Sequence, residues 1–523
     1  MRSSPTPPRR FVPLGAMALM LTAPLGAQRG APDPAAIRDH VRAYREAHQL
    51  EILTELRDLL AIPNVASDSA NIRRNAAHIV AMLERRRIAA KLLEVPGSPP
   101  AIYGELSIPG ATRTVMLYIH YDGQPADPAQ WASDPWTPVL RDRSLEDGGT
   151  IVPWDALKAP VPDEWRVYAR SASDDKAPLV ALLRALDALA SNGMRPSVNL
   201  KLFLEGEEEA GSDHLREMLE RHRELLAADV WLFLDGPVHQ TRRQQIVFGA
   251  RGVMGLGLTV YGPLRTLHSG HYGNWAPNPA AMLAHLIASM RDEEGRVRID
   301  GYTADVRAVS EADRAALASL PSVESELIQA LGLGRTEGGQ GVLESTMRPG
   351  LNVDGLRAGD VGSAARNAIP TEATAAIDIR LVPDQTPAGV RELVERHVER
   401  QGYFIVREAP DLATRLAHPK IARLTWGEGY PGLRTPLDLP VAQAVARAAD
   451  EAMGEPVLRV PMLGGSLPLH HFVEVTGAPV IILPIVNHDN NQHAANENLR
   501  IRNLWDGIDL FAGLLARLGH DWR

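Results

Sequence analysis

Val198-Asn199-Leu200-Lys201-Leu202-Phe203-Leu204 runs directly into Glu205-Gly206-Glu207-Glu208-Glu209-Ala210-Gly211-Ser212. The first half has the length and composition of a buried strand. The second half is acidic from its first residue. By itself the acidic run reads as a solvated face. At the mouth of a buried strand, however, consecutive glutamates repel one another unless cations compensate.

The arrangement recurs on either side. Val115–Ile119 is a short apolar strand that ends at His120-Tyr121-Asp122-Gly123, and Val230–Leu234 ends at Asp235. Ser173-Asp174-Asp175-Lys176 opens a helix over Pro178–Leu189, closed by Asn192-Gly193. The strand Val480–Ile485 is followed by Gln492-His493-Ala494-Ala495-Asn496-Glu497. Strands and helices alternating at this spacing predict an α/β fold with a mostly parallel sheet and helices on both faces. Such sheets place ligand sites at the carboxyl ends of their strands, where these ionisable residues fall. Singly, each has an ordinary structural reading: Asp174 and Asp175 as helix caps worth about 0.3–1 kcal/mol, Asp235 as a turn residue, His493 as a surface histidine. Together they supply the oxygen and nitrogen donors that two divalent cations need. On an extended backbone His120 and Asp122 point to one side, so the carboxylate can hold one imidazole nitrogen while the other faces a metal.

From about Arg251 the texture changes. Strands are predicted at Val253–Tyr261, Ala373–Leu381 and Tyr403–Arg407, with helices at Pro279–Met290 and, capped by Thr386, at Pro387–Gln401. This order fits a smaller α+β sandwich with helices on one face. The alternating pattern returns with a helix at Leu439–Met453 and a closing helix at Leu504–Leu518. The expected division is therefore 28–250 and 413–523 for the catalytic domain, with 251–412 inserted as a lid or dimerisation domain. Trp136 to Trp165, rich in Pro, Gly and Asp, reads as a surface excursion.

The chain has 523 residues, 23% charged and 45% hydrophobic, with a formal net charge of -9. Nothing in that balance points to nucleic acid. Cysteine is absent, which excludes disulfides, thiolate metal sites and a cysteine nucleophile, so any metal falls to His, Asp and Glu. Arg2, Arg9 and Arg10 precede an apolar run, Phe11–Leu25, that ends at Gly26-Ala27-Gln28. This layout predicts a signal peptide over residues 1–27 and export to the periplasm or medium. No other segment is apolar enough to span a bilayer.

The ionisable segments resemble, in order from His120 to Glu497, those of the aminoacylase–carnosinase family of co-catalytic zinc peptidases, which includes glutamate-releasing carboxypeptidases and succinyl-diaminopimelate desuccinylase. The family's His-x-Asp matches His120-Tyr121-Asp122, its Asp-x-Lys matches Asp174-Asp175-Lys176, and its Glu-Glu-x-Gly-Ser matches Glu208-Glu209-Ala210-Gly211-Ser212. The resemblance implies two divalent ions, zinc first and manganese second. One would sit on His120, Asp174 and Asp235, the other on Asp174, Glu209 and His493. It further implies Glu208 as general base for a hydroxide between the metals and Asp122 as the group that orients His120. His268, in Leu267-His268-Ser269-Gly270, would reach a partner subunit's site, which implies a homodimer. Arg380 would grip a substrate carboxylate, with Asn367, Gly465 and Ser466 lining the pocket. His470 and His471 match no family motif and read as structural.

Two positions depart from the family: Ala177-Pro178 follows Lys176, and Ile119 precedes His120, where glycine is usual at each site. They bear on pocket shape. His120-Tyr121-Asp122-Gly123-Gln124-Pro125 and Asp134-Pro135-Trp136 resemble the carnosinase-like branch, which implies hydrolysis of dipeptides or short peptides. The alternatives are an N-acyl amino acid deacylase and a catalytically silent binding or assembly protein of the same fold. A serine hydrolase is disfavoured, because no Gly-x-Ser-x-Gly elbow accompanies Ser269.

Overall fold

Along the strand Thr114–His120, Val115, Leu117 and Ile119 face one core while Met116 and Tyr118 face another. That two-residue alternation between two apolar layers is what a strand covered on both faces requires. The computed structural model describes Met1 and residues 31–522, so the leader expected at 1–27 lies, apart from Met1, outside the described residues.

Thr114–His120 belongs to an eight-stranded sheet in the order Ala89–Leu93, Ala101–Leu106, Asn199–Glu205, Thr114–His120, Val230–Phe233, Val480–Ile482, Gln245–Val247, Leu458–Val460. The four central strands, from Asn199–Glu205 to Val480–Ile482, are mutually parallel. Helices Pro34–Leu60, Lys176–Ser191, Pro440–Met453 and Ile501–Asp521 bury one face, and Leu215–Arg221 with Leu469–Thr476 bury the other. On this second face Phe472 packs 4.9 Å, ring centre to ring centre, from both Trp231 and Phe233. Truncation there removes a fully enclosed ring, so Phe472→Ala is expected to cost about 3–5 kcal/mol in chemical denaturation.

A second sheet runs Gly350–Arg357, Glu372–Leu381, Gly249–Tyr261, Ile421–Tyr430, Phe404–Val406, with Leu433–Arg434 and Leu463–Ser466 also paired to the long strand Gly249–Tyr261. Helices Pro279–Met290 and Pro387–Arg400 cover one face, packing Leu283, Leu286, Val390 and Val394 on Leu256, Leu258, Ile377 and Ile379. Asp378 and Arg380 alternate onto the uncovered face. The helices lie where the sequence predicts them, but four of the seven strands, Gly350–Arg357, Ile421–Tyr430, Leu433–Arg434 and Leu463–Ser466, are not foreseen. Ile421–Tyr430 lies beyond the expected boundary at residue 412 and pairs with the long strand. Its Gly427 and Gly429 suggest a turn, yet a Cβ on Gly429 would come within 2.5 Å of Met254 Cβ. Glycine here permits close packing between strands.

The stretch between Trp136 and Trp165 is not the surface excursion its composition suggests. Ile151–Val152 and Val139–Arg141 build a four-stranded antiparallel sheet with Arg166–Tyr168 and Asn498–Arg500. The pairing of Asn498 with Tyr168 draws together the two loops that hold Asp174 and Glu497.

Candidate active site

His120 ends its strand opposite Glu205 of the neighbouring one. The chain after Glu205 must turn at once, and Gly206 makes this feasible: a Cβ there would lie 2.6 Å from the Tyr121 hydroxyl. The turn carries Glu208 and Glu209, and Asp122 holds it. The buried Asp122 carboxylate accepts the Glu208 amide at 3.1 Å and the Glu209 amide at 3.0 Å, one on each oxygen. Its Oδ1 also lies 3.5 Å from His120 Nδ1. One side chain thus registers His120 against both glutamates.

Asp174 lies at the centre. Its Oδ1 is 2.8 Å from His120 Nε2 and its Oδ2 is 3.1 Å from His493 Nε2. His493 Nε2 is also 3.2 Å from Glu209 Oε2. Two groups of donor atoms result, His120–Asp174–Asp235 and Asp174–Glu209–His493, the atoms of each lying within 4.8 Å of one another. Asp175 points elsewhere, with its Oδ2 accepting the His120 amide at 3.4 Å.

The electrostatics are those of crowded, buried acids. Burial, with help from Asp174, pushes Asp235 up to about 7. Burial also drives Glu208 well above the usual carboxylate range; His120 opposes the shift, while Asp235 and Glu209 add to it. His493 rises to about 10 through its contacts with Asp174 and Glu209. Among the described residues, Asp122, Asp174, Glu208, Glu209 and Asp235 form no ion pair with a lysine or arginine. Two imidazoles facing this many acids are a donor set that fits divalent cations.

The loop carrying Asp174 is anchored by Glu497, whose side chain has no solvent exposure. Its carboxylate accepts the amides of Ser171, Ser173 and Asp174, each at 2.9 Å, and the Ser173 hydroxyl and Arg170 guanidinium, each at 2.8 Å. Gln124 Nε2 donates to Glu209 Oε2 at 2.8 Å. Sequence reasoning gave neither residue a role. Gln124 extends the two-residue spacing of His120 and Asp122, and that was the available signal. Nothing in the sequence marks Glu497 as the partner of a loop more than 300 residues away.

On the second sheet Arg380 donates Nη1 to Ser466 Oγ at 2.8 Å and Nε to Asp378 at 2.7 Å. Tyr430 ends its strand of the second sheet, paired with Val253. Burial pushes its hydroxyl up to about 12, with Glu208 raising and Arg380 lowering it. Tyr430 too was missed, because its strand was. Gly465, beside Ser466, is exposed. His268 and Asn367 are exposed as well and adjoin each other, the Ser269 amide donating to Asn367 O at 3.0 Å. Neither has a hydrogen bond to the His120–His493 cluster among the described residues. His470 is buried and stacks on Tyr430 at 5.4 Å.

Acids and imidazoles thus converge at the carboxyl ends of parallel strands, as a donor set that could hold divalent cations. The chain belongs to the peptidase family M20/M25/M40, whose description matches residues 116–517. It is 26% identical over 487 residues to a Cys-Gly metallodipeptidase of Schizosaccharomyces pombe, covering 90% of this chain and 95% of the relative. It is 26% identical over 514 residues to the Beta-Ala-His dipeptidase of Homo sapiens, covering 93% of each. An M20 family metallo-carboxypeptidase from Sulfolobus solfataricus superposes with a TM-score of 0.71 at 27% identity, covering 90% of this chain and 99% of that one. The protein is thus a metallopeptidase that hydrolyses peptide bonds. The expectation of export is corrected by the same relatives: the yeast Cys-Gly metallodipeptidases, which match most of this chain, are cytosolic. No helix among the described residues is long and apolar enough to cross a membrane.

Proposed function

We propose that the protein is a two-metal dipeptidase. The observation that carries this reading is the placement of Asp174, which turns one carboxylate oxygen to His120 and the other to His493. His120, Asp174 and Asp235 would hold one ion; Asp174, Glu209 and His493 would hold the other. Donors limited to imidazole nitrogen and carboxylate oxygen suit zinc, with manganese next. When bound, the two cations supply the positive charge that acidifies water and polarises a peptide carbonyl.

Glu208 takes the proton of the attacking water on its carboxylate and passes it to the leaving amine nitrogen. Burial among neighbouring acids raises its proton affinity, which suits a group that must both accept and release a proton. Asp122 keeps His120 and the Glu208–Glu209 turn in register. Arg380 receives the substrate's terminal carboxylate, a role for which a guanidinium gives charge and direction, with Ser466 and Gly465 flanking it. His268, exposed on the lid, would reach the cleft of a second copy, so that a homodimer would complete each site, and Asn367 beside it would line the pocket. Dipeptides are the substrate class because the relatives are dipeptidases for Cys-Gly and Beta-Ala-His.

Glu497 is the positioning group for Asp174. Removing an outer partner of a metal-binding carboxylate typically weakens metal affinity about 10–100-fold. Glu497→Gln is expected to do so, measured by competition with a chromophoric chelator.

The test of the reading is hydrolysis of a dipeptide panel beside N-acetyl and N-succinyl amino acids, using protein reloaded with zinc or manganese. Dipeptide cleavage that disappears in Glu208→Gln supports the proposal. Cleavage of the acyl compounds alone replaces it with the deacylase. Stoichiometric metal without hydrolysis of any amide leaves a binding protein.

A further inference from the structure

A second guanidinium stands beside Arg380 on the uncovered face of the lid sheet. Arg251 lies near the start of the long strand Gly249–Tyr261, two residues before Val253, which pairs with Arg380. The two side chains flank Gly350: a Cβ there would lie 3.6 Å from Arg380 Cβ and 3.9 Å from Arg251 Nη1. Arg251 is partly buried, and its Nε donates to Gly464 O at 2.9 Å. Among the described residues its two terminal nitrogens have no hydrogen-bond partner, and the side chain has no ion pair. The carboxylate beside it, Asp378, is engaged with Arg380 Nε.

Arg251 lines a cavity of about 600 Å³ together with Arg348, Gly350 and Asn352. The acids on its wall are occupied elsewhere: Glu337 binds Arg291 at 2.6 Å and Glu294 binds Arg335 at 3.3 Å. Arg348, by contrast, forms no ion pair among the described residues. Burial, and then the charge of Arg380, push the Arg251 guanidinium down from its ordinary value, and Asp378 offsets only part of that shift. A half-buried cation with a like charge beside it and no ion-paired carboxylate of its own is unfavourable. A carboxylate meeting its two free nitrogens side by side removes that cost.

We propose that Arg251 binds a second carboxylate of the substrate, so that the enzyme prefers peptides whose C-terminal residue has an acidic side chain. Arg380 takes the terminal carboxylate and Arg251 the side-chain carboxylate of that Asp or Glu. The inference rests on the peptidase reading above and on the role that reading gives Arg380.

The test compares kcat/KM for Ala-Glu with that for its neutral isostere Ala-Gln in the metal-loaded enzyme, in Arg251→Met and in Arg251→Lys. The wild type is expected to prefer Ala-Glu by about tenfold or more, as for a charge-assisted pair. In Arg251→Met the ratio falls to near one, with the change in KM, and Arg251→Lys recovers part of it. If Arg251 merely holds Gly464, its loss slows both substrates alike and leaves the ratio intact, which overturns the proposal. A wild-type ratio near one, with Ala-Gln cleaved well, overturns the proposal and leaves the peptidase reading standing. Failure to cleave either peptide removes the underlying reading, and the proposal with it.

Discussion

Glu208→Gln is expected to lower kcat about 10²–10⁴-fold, the usual contribution of a positioned general base. Metal content and KM should change little. The amide keeps the size of the carboxylate, and the contact that fixes this residue, its backbone N–H to Asp122, survives the substitution. Only the ability to accept a proton is lost. Steady-state kinetics on a cleaved dipeptide, paired with metal analysis, separate the outcomes. A large fall in metal content would reassign Glu208 as a ligand, and unchanged kcat would move the base elsewhere.

Asp174→Ala is expected to be the more damaging change. It removes the carboxylate shared by both donor groups and leaves His120–Asp235 and Glu209–His493, two donors apiece. Tight binding of hard or borderline cations needs more donors than that, so bound metal should fall well below that of the wild type. Loss of the cations' charge stabilisation, several kcal/mol, lowers kcat/KM at least about 10³-fold. Elemental analysis after gel filtration, with kinetics on the same sample, reads both effects. Wild-type metal content in the variant would show that Asp174 bridges nothing.

Much of this arrangement is legible in the sequence because the chemistry sits at strand ends. His120, Glu208, Glu209 and Asp235 each follow an apolar run by a few residues, and in a parallel sheet such positions share one edge. The choice of Asp174 over its neighbour needed the family resemblance, since a helix start accepts either carboxylate. In the fold the two point apart, Asp174 to the imidazoles and Asp175 to the His120 amide.

What remained hidden is non-local or disguised by composition. Glu497 acts on backbone amides from a distant part of the chain, a partnership created by the small sheet that joins Asn498 to Tyr168. The strand carrying Tyr430 looks like a turn because Gly427 and Gly429 interrupt it, although the close approach of Met254 requires the small residue. The role of Arg251 depends on carboxylates around it being engaged elsewhere, which no spacing rule records. The leader-like N-terminus misled in the opposite direction: a basic, apolar and small-residue order predicted export, and the cytosolic yeast relatives overturn it.

On the proposed mechanism, two cations held by these donors are required for peptide-bond hydrolysis. Its most direct test is titration of metal-free protein with zinc or manganese while dipeptide hydrolysis is followed. No turnover is expected without metal, and the rate should reach its plateau at two ions bound per chain. Turnover that survives complete chelation, or a plateau reached with a single ion bound, would contradict it.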